Sequence, residues 1–415
     1  MTQWLDAADS DPATLQWMVG SPPPPDKLIQ FADGSAFRFP RTRWSYSNMR
    51  RLVPTSVVPR RHAAAAPLPR AERADLDVVT FQPTGGNDRM TWEQSLSANF
   101  TDGILVLHRG QVVYERYFGV LDAATQHLAF SVTKSFAATI AGILSAEGAL
   151  DDSATVASYL PELADSGFAD ATIAQLLDMT TGVKYTEDYV DDKAGIWALA
   201  RAGSFRPRPA DYQGPGSFYE YLHTVQKDYE HGQRFAYKTA NTDVLAWVMR
   251  RATGKTLSAL MSDYLWSKLG VEQDAYFTID TTGVEFAGAG LNLTLRDLAR
   301  FGEMMRLGGR YNGRQIVPAV VIDDIRAGGD REQFAGAGYT QLPGWSYRRM
   351  WWVSHNDHGA FAARGIHGQA VYVDPAAEMV VARFASHPQG ANVHLDPTSL
   401  PAYHALATHL LKSPS

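Results

Sequence analysis

No cysteine occurs among the 415 residues. That excludes disulfides, a thiol nucleophile, Cys-ligated zinc and iron–sulfur clusters. Long hydrophobic runs are missing as well: nothing approaches the 18 or so consecutive apolar residues that mark a membrane span. Basic excess is absent, with 38 Lys and Arg against 44 Asp and Glu for a net charge of −6, so a phosphate backbone is a poor candidate partner. The first residues, Met1 to Trp17, carry acids where a signal peptide needs a basic start and an apolar stretch. A cytoplasmic location is the expectation. What is present is ordinary globular composition, 45% hydrophobic and 20% charged, in a chain long enough for two or three structural units.

Residues 1–95 read as a partly irregular N-terminal extension, with a proline run at Pro22–Pro25 that favours extended polyproline conformation. Two β-rich runs, Ile104–Leu107 and Val112–Phe118, flank His-Arg-Gly and read as a hairpin. Phe136, Ile140, Ile143 and Leu144 then mark one face of a helix from Ser131, which Gly148 would stop. Helical or loop character dominates from 151 to 294. Thr294 and Asp297 form an approximate capping box for another helix. Strands return at Ser346–Val353, Gln369–Val373 and Met379–Phe384, and Pro401–Leu411 looks like a closing helix. Strands on both sides of this helical middle imply an antiparallel sheet completed by distant segments. The expected division is 96–150 with 295–412 as an α/β sheet unit, and 151–294 as a mostly helical one.

The sharpest motif is Ser131-Val132-Thr133-Lys134. No other serine in the chain has a lysine three positions on. At a helix start this spacing stacks the two side chains on one face, where free N–H groups and the helix dipole converge. A serine so placed suits a nucleophile whose own N–H stabilises the oxyanion it creates. Lys134 could serve as base only if burial brought its pKa down by about three units. Taken alone, Ser-x-x-Lys more often means a capping serine and a solvated lysine, so the surrounding sequence has to decide.

That context resembles the serine β-lactamase-like, penicillin-recognising family. The resemblance runs through Ser131–Leu150, Tyr159–Leu163, Ala174–Gly182, Phe235–Trp247, Leu293–Phe301 and Gly365–Pro375. It covers roughly 40 to 400, and it is nearest to the 6-aminohexanoate-dimer hydrolases, through Glu187-Asp-Tyr-Val-Asp191 and Ala240–Trp247. The resemblance implies an α/β (α+β) fold: an antiparallel sheet flanked by helices, plus a helical subdomain. It also implies a cofactor-free, metal-free serine hydrolase acting through an acyl-enzyme. Ser131 would attack, Lys134 and Tyr237 would carry protons, and Ile366 would add the second oxyanion N–H. Tyr189 would close over the substrate, with Thr239, Gly365, Gly288 and Ala200 also at the pocket.

Several positions depart from the family pattern. Thr239 stands where Tyr-x-Asn has Asn, and Ala363-Arg364-Gly365 lacks the usual leading cation, Arg364 facing the other side of a strand. Both weaken a β-lactamase or D,D-peptidase reading. Amide-cleaving relatives are expected to have a carboxylate and an Asn where this chain has Ala200 and Gly288, which favours short-chain esters over the nylon dimer. Asp188 and Asp191 could meet an ammonium group, although a solvated acidic loop is the commoner meaning. Of Trp351 and Trp352, one ring would line the pocket and the other would pack in the core. A Tyr46-Ser-Asn48 decoy precedes the serine and is discounted.

Other signals fail. Gly254-Lys255-Thr256 has Met249 where a phosphate loop needs Gly, no Gly-x-Ser-x-Gly elbow exists, and His355-Asn-Asp-His358 lacks a zinc-binding pattern. The expected partner is a small ester or amide, without nucleic acid or membrane, and with homodimerisation left open. The rival from another class is a non-catalytic binding module on the same scaffold.

Overall fold

The computed structural model describes residues 4–61 and 64–412. Its centre is a seven-stranded antiparallel sheet. In spatial order the strands are Ser346–Arg348, Trp351–Val353, Phe361–Gly365, Gln369–Asp374, Met379–Ala385, Thr101–His108 and Gln111–Tyr117. The N-terminal hairpin thus lies against the last C-terminal strand, with Val381 opposite Val106. Side chains alternate as a pleated strand requires. Ile104 and Val106 face a layer built on Trp92, Tyr403 and Leu406. Leu105 and Leu107 face the larger core that holds the serine helix.

The serine helix spans Val132–Ala146 and is buried on all sides from Val132 to Leu144. The sequence reading expected one apolar face, but here the helix lies between the sheet and the helical half of the molecule, so every face meets protein. Phe136 stacks on Phe301 of helix Leu295–Arg306 at 3.7 Å between ring centres. The helix ends at Ala146, with Gly148 just beyond at φ 74°.

Residues 151–294 hold most of the short helices, among them Ile173–Leu177, Gly195–Ala202 and Ala240–Thr253. They also contribute Ala275–Thr278 and Leu291–Leu293 to a four-stranded sheet shared with Thr55–Val58 and His127–Leu128. The N-terminal extension is therefore laced into the body. Buried Arg43 ties it further, pairing with Asp102 at 3.1 Å and donating to the Ala7 carbonyl and Ser10 Oγ. In the proline run, Pro24 keeps an extended backbone while Pro25 opens a short 3₁₀ turn over Pro25–Lys27.

One strand expectation needs correction. Ser346–Val353 is two strands, not one, joined by Arg349 and Met350 at φ 44° and 58°. Tertiary anchors hold that turn: the Arg349 N–H donates to Asp178 at 2.9 Å and the Met350 N–H to the Leu177 carbonyl at 3.0 Å. Among the described residues no helix is long and apolar enough to cross a membrane.

Candidate active site

Ser131 occupies the N-cap of its helix, but its side chain accepts no capping hydrogen bond. Its αR backbone (φ −68°, ψ −6°) departs from the extended geometry of an N-cap. Phe130, the residue before it, is held at φ 45°, a costly conformation for an aromatic residue. The serine hydroxyl is left for Lys134, whose Nζ donates to Ser131 Oγ at 2.8 Å and to the Gly288 carbonyl at 2.6 Å. Lys134 is only 1% exposed. Burial lowers its pKa to about 8, against the opposing pull of Glu187 and Asp243.

Asp243 lies behind the lysine. Desolvation raises its carboxyl to about 8, while Lys134 and the N–H groups of Gly288 and Ala287 pull it down. One oxygen accepts from the Gly288 N–H at 3.3 Å, and the other has no hydrogen-bond partner among the described residues. Tyr237 brings its hydroxyl to Ser131. Its ring lies 5.1 Å from Lys134 Nζ and stacks on Trp352. Burial pushes this phenol well above its ordinary pKa, so it is a neutral donor.

Gly365 ends the strand Phe361–Gly365, which runs past the serine. A Cβ there would sit 2.7 Å from the Ala129 carbonyl and 3.1 Å from the Ser131 nitrogen. This close approach brings the backbone of Gly365 and Ile366 beside the Ser131 N–H. Ser131 and Ile366 both line a cleft of about 410 Å³, which Tyr237, Tyr189, Trp352 and Gly365 also border. Trp351 is fully buried against Phe301.

Ser131 and Ile366 also line an inner pocket of about 30 Å³, as do Thr239 and Ala200. Gly288 borders neither cavity. Its carbonyl holds Lys134, and a Cβ would lie 2.3 Å from Thr239 Cγ2 and 3.1 Å from Asp243 Oδ2, so Asn could not stand there without displacement.

Glu187 is the group the sequence reading left without a role. Thr239 donates to it through both its N–H at 3.1 Å and its hydroxyl at 2.5 Å, and the Tyr189 hydroxyl donates at 3.1 Å. Desolvation raises its pKa. The motif around Tyr189 contained this acid, and Asp243 stands four residues after Thr239, one helical turn on. Those two spacings were the available signals. The flanking acids serve the loop itself: Asp188 accepts from the Val190 and Asp191 N–H groups, and Asp191 from the Lys193 N–H.

Arg364, expected on the other side of its strand, pairs with buried Asp396, stacks over Trp352 and lines the larger cleft together with Ser131. His355 bonds Ser346 and His358 bonds Asp374. Among the described residues no cluster of three potential metal ligands exists.

Known proteins share this sequence and shape. The beta-lactamase family matches residues 94–402. A 6-aminohexanoate-dimer hydrolase of Paenarthrobacter ureafaciens is 37% identical over 356 residues, 86% of this chain and 88% of that protein. A solved Bacillus anthracis structure, assigned as a 6-aminohexanoate-dimer hydrolase, superposes with TM-score 0.84 at 32% identity, over 95% of this chain and 100% of that one. EstCE1, a hydrolase with promiscuous acyltransferase activity, shares the fold at TM-score 0.61 and 16% identity, over 76% of this chain and 96% of that one. The chain belongs to the beta-lactamase family and is one of its serine hydrolases.

Proposed function

We propose that this enzyme hydrolyses short-chain carboxylic esters and, more slowly, linear amides such as 6-aminohexanoate oligomers, through an acyl-enzyme on Ser131. The observation that carries the reading is the 2.8 Å bond from buried Lys134 to a serine hydroxyl open to the cleft. With a pKa near 8, a fraction of Lys134 is the neutral amine at pH 7. That amine takes the serine proton as Oγ attacks the carbonyl carbon. The developing oxyanion lies between the N–H groups of Ser131 and Ile366, where each donor contributes about 3–4 kcal/mol to the transition state. Tyr237 hands its proton to the departing alkoxide or amine and is reprotonated by the proton Lys134 took from the serine, and water activated by the same groups releases the acid.

Amide cleavage is supported by the 37% identity to a dimer hydrolase. Its rate is limited, in this reading, by Ala200, which offers no carboxylate to an ammonium-ended acyl group. A β-lactamase or D,D-peptidase role is disfavoured because Arg364 is already neutralised by Asp396. A cytoplasmic location belongs to the same proposal, tested by cell fractionation, and sedimentation reads whether the chain forms a homodimer.

The test compares hydrolysis of p-nitrophenyl butyrate with release of 6-aminohexanoate from the linear dimer, for the native protein and Ser131→Ala. Ester turnover well above dimer turnover, both lost in the variant, is expected. A native protein that turns over neither would return the chain to the binding-module reading.

A further inference from the structure

The inner pocket beside Ser131 contains a cation with no ion-pair partner among the described residues, although the Glu187 carboxyl lines the same pocket. Arg206 lines it together with Phe37, Tyr46, Trp197 and His367. Its guanidinium lies 4.2 Å from the Trp197 ring centre and 4.7 Å from that of Phe37. Among the described residues no carboxylate lies within ion-pair distance of it, and its buried Nε has no acceptor. The nearby acids are committed elsewhere: Asp192 pairs with Arg201 at 2.9 Å, and Glu187 is bonded by Thr239 and Tyr189. Burial lowers the His367 pKa to about 4, so that ring adds no charge at neutral pH. Tyr46 is neutral for the same reason, its hydroxyl pushed far up by burial.

Arg206 also borders an outer cleft with Asp33 and Asp192, but its buried Nε–H finds no acceptor there, and such a donor is costly unless something completes it. Aromatic faces offset part of that cost but accept none of its N–H bonds. The missing partner is a planar anion, which a guanidinium fork binds through two parallel bonds. Free space of about 30 Å³ in the pocket, roughly two water molecules' worth, limits the occupant to a short acyl chain. Ala200, small and apolar on the same wall, offers nothing to a cationic end.

We propose that the acyl pocket selects acyl chains ending in a carboxylate, so that the preferred substrates are hemiesters of short dicarboxylic acids. The acyl carbon bonds Ser131 and the distal carboxylate meets Arg206. The chemistry is unchanged: water replaces the alcohol, and the free dicarboxylic acid leaves. This rests on the acyl-enzyme reading above, and the experiment separates the two.

Ethyl hydrogen succinate, glutarate and adipate are compared with ethyl butyrate and ethyl valerate by product chromatography, for native enzyme, Arg206→Gln and Arg206→Lys. The native kcat/KM for the best hemiester should exceed that for its neutral counterpart at least tenfold. This ratio should fall at least tenfold in Arg206→Gln, mainly through KM, and recover in part in Arg206→Lys. A native ratio near one, or a variant that loses both substrates with the ratio intact, overturns the proposal and leaves Arg206 a packing residue.

Binding is read separately in Ser131→Ala, which needs no turnover. Glutarate or adipate should raise its melting temperature, and the double variant with Arg206→Gln should show no rise. If neither dianion binds Ser131→Ala, the proposal fails whatever the ester kinetics. If they bind while native enzyme cleaves no ester, the acyl-enzyme reading fails and the anion site stands.

Discussion

Thr239 donates its backbone N–H to one oxygen of Glu187 and its hydroxyl to the other. A residue that stands where the family pattern places an amide thus uses both its donors on an acid of the tyrosine loop. The Tyr189 hydroxyl ends on the same carboxyl group, so Glu187 joins the loop to the start of helix Ala240–Thr253. Glu187 also supports the protonated form of Lys134 by its charge.

Glu187→Gln tests both roles. Removing the negative charge lowers the Lys134 pKa further, so the acid limb of kcat/KM moves to lower pH. The amide keeps one acceptor for two Thr239 donors, and losing one bond, worth about 0.5–1.5 kcal/mol, should cost roughly threefold to tenfold on the plateau. A pH–rate profile of ester hydrolysis reads both effects. An unshifted limb would remove Glu187 from the electrostatics of the site.

The native profile has a sign fixed by the same lysine. Lys134 is depressed to about 8 by burial, and the reacting form is the neutral amine. Activity therefore rises with pH, through an apparent pKa of about 8, and falls about tenfold per unit below it. A flat profile between pH 6 and 9 would contradict Lys134 as the base.

How much of this was legible beforehand varied with how local the cause was. The hairpin at 101–117, the serine helix and the Thr294 cap follow from alternation, 3.6-residue spacing and a side chain accepting from the Asp297 N–H. The break at Arg349–Met350 was not legible. Neither residue signals a turn, and the bonds that hold it come from Asp178 and Leu177, far away in sequence. Ser131, Lys134 and Tyr237, assigned from motifs, converge in space. Gly288 was read as a pocket residue, yet it acts through its backbone carbonyl, which no side-chain pattern reveals. Arg206 and Asp243 matter because of what surrounds them, and burial of a charge is a tertiary fact.

Gly365→Ala probes the backbone next to the serine. A Cβ 2.7 Å from the Ala129 carbonyl forces the strand away from the Ser131 N–H. Misplacing one oxyanion donor costs about 100- to 1,000-fold in kcat, with KM changed far less. Steady-state kinetics on a short-chain ester check this; a loss under tenfold would remove Ile366 from the oxyanion site.

Phe136→Ala probes the core that fixes the serine helix. Phe136 is fully buried and stacks on Phe301 at 3.7 Å. Truncation should cost about 3–5 kcal/mol, read as a lower denaturant midpoint at unchanged slope. A shift under 1 kcal/mol would show that the helix is held by other contacts.

The central claim is a covalent intermediate on Ser131, and the most direct test is intact-protein mass after acid quenching during turnover of a short-chain ester. The account predicts a population heavier by one acyl group, mapping by peptide digestion to Ser131, and absent together with activity from Ser131→Ala. Turnover that survives in Ser131→Ala, or an acyl group mapping to another residue, would contradict it.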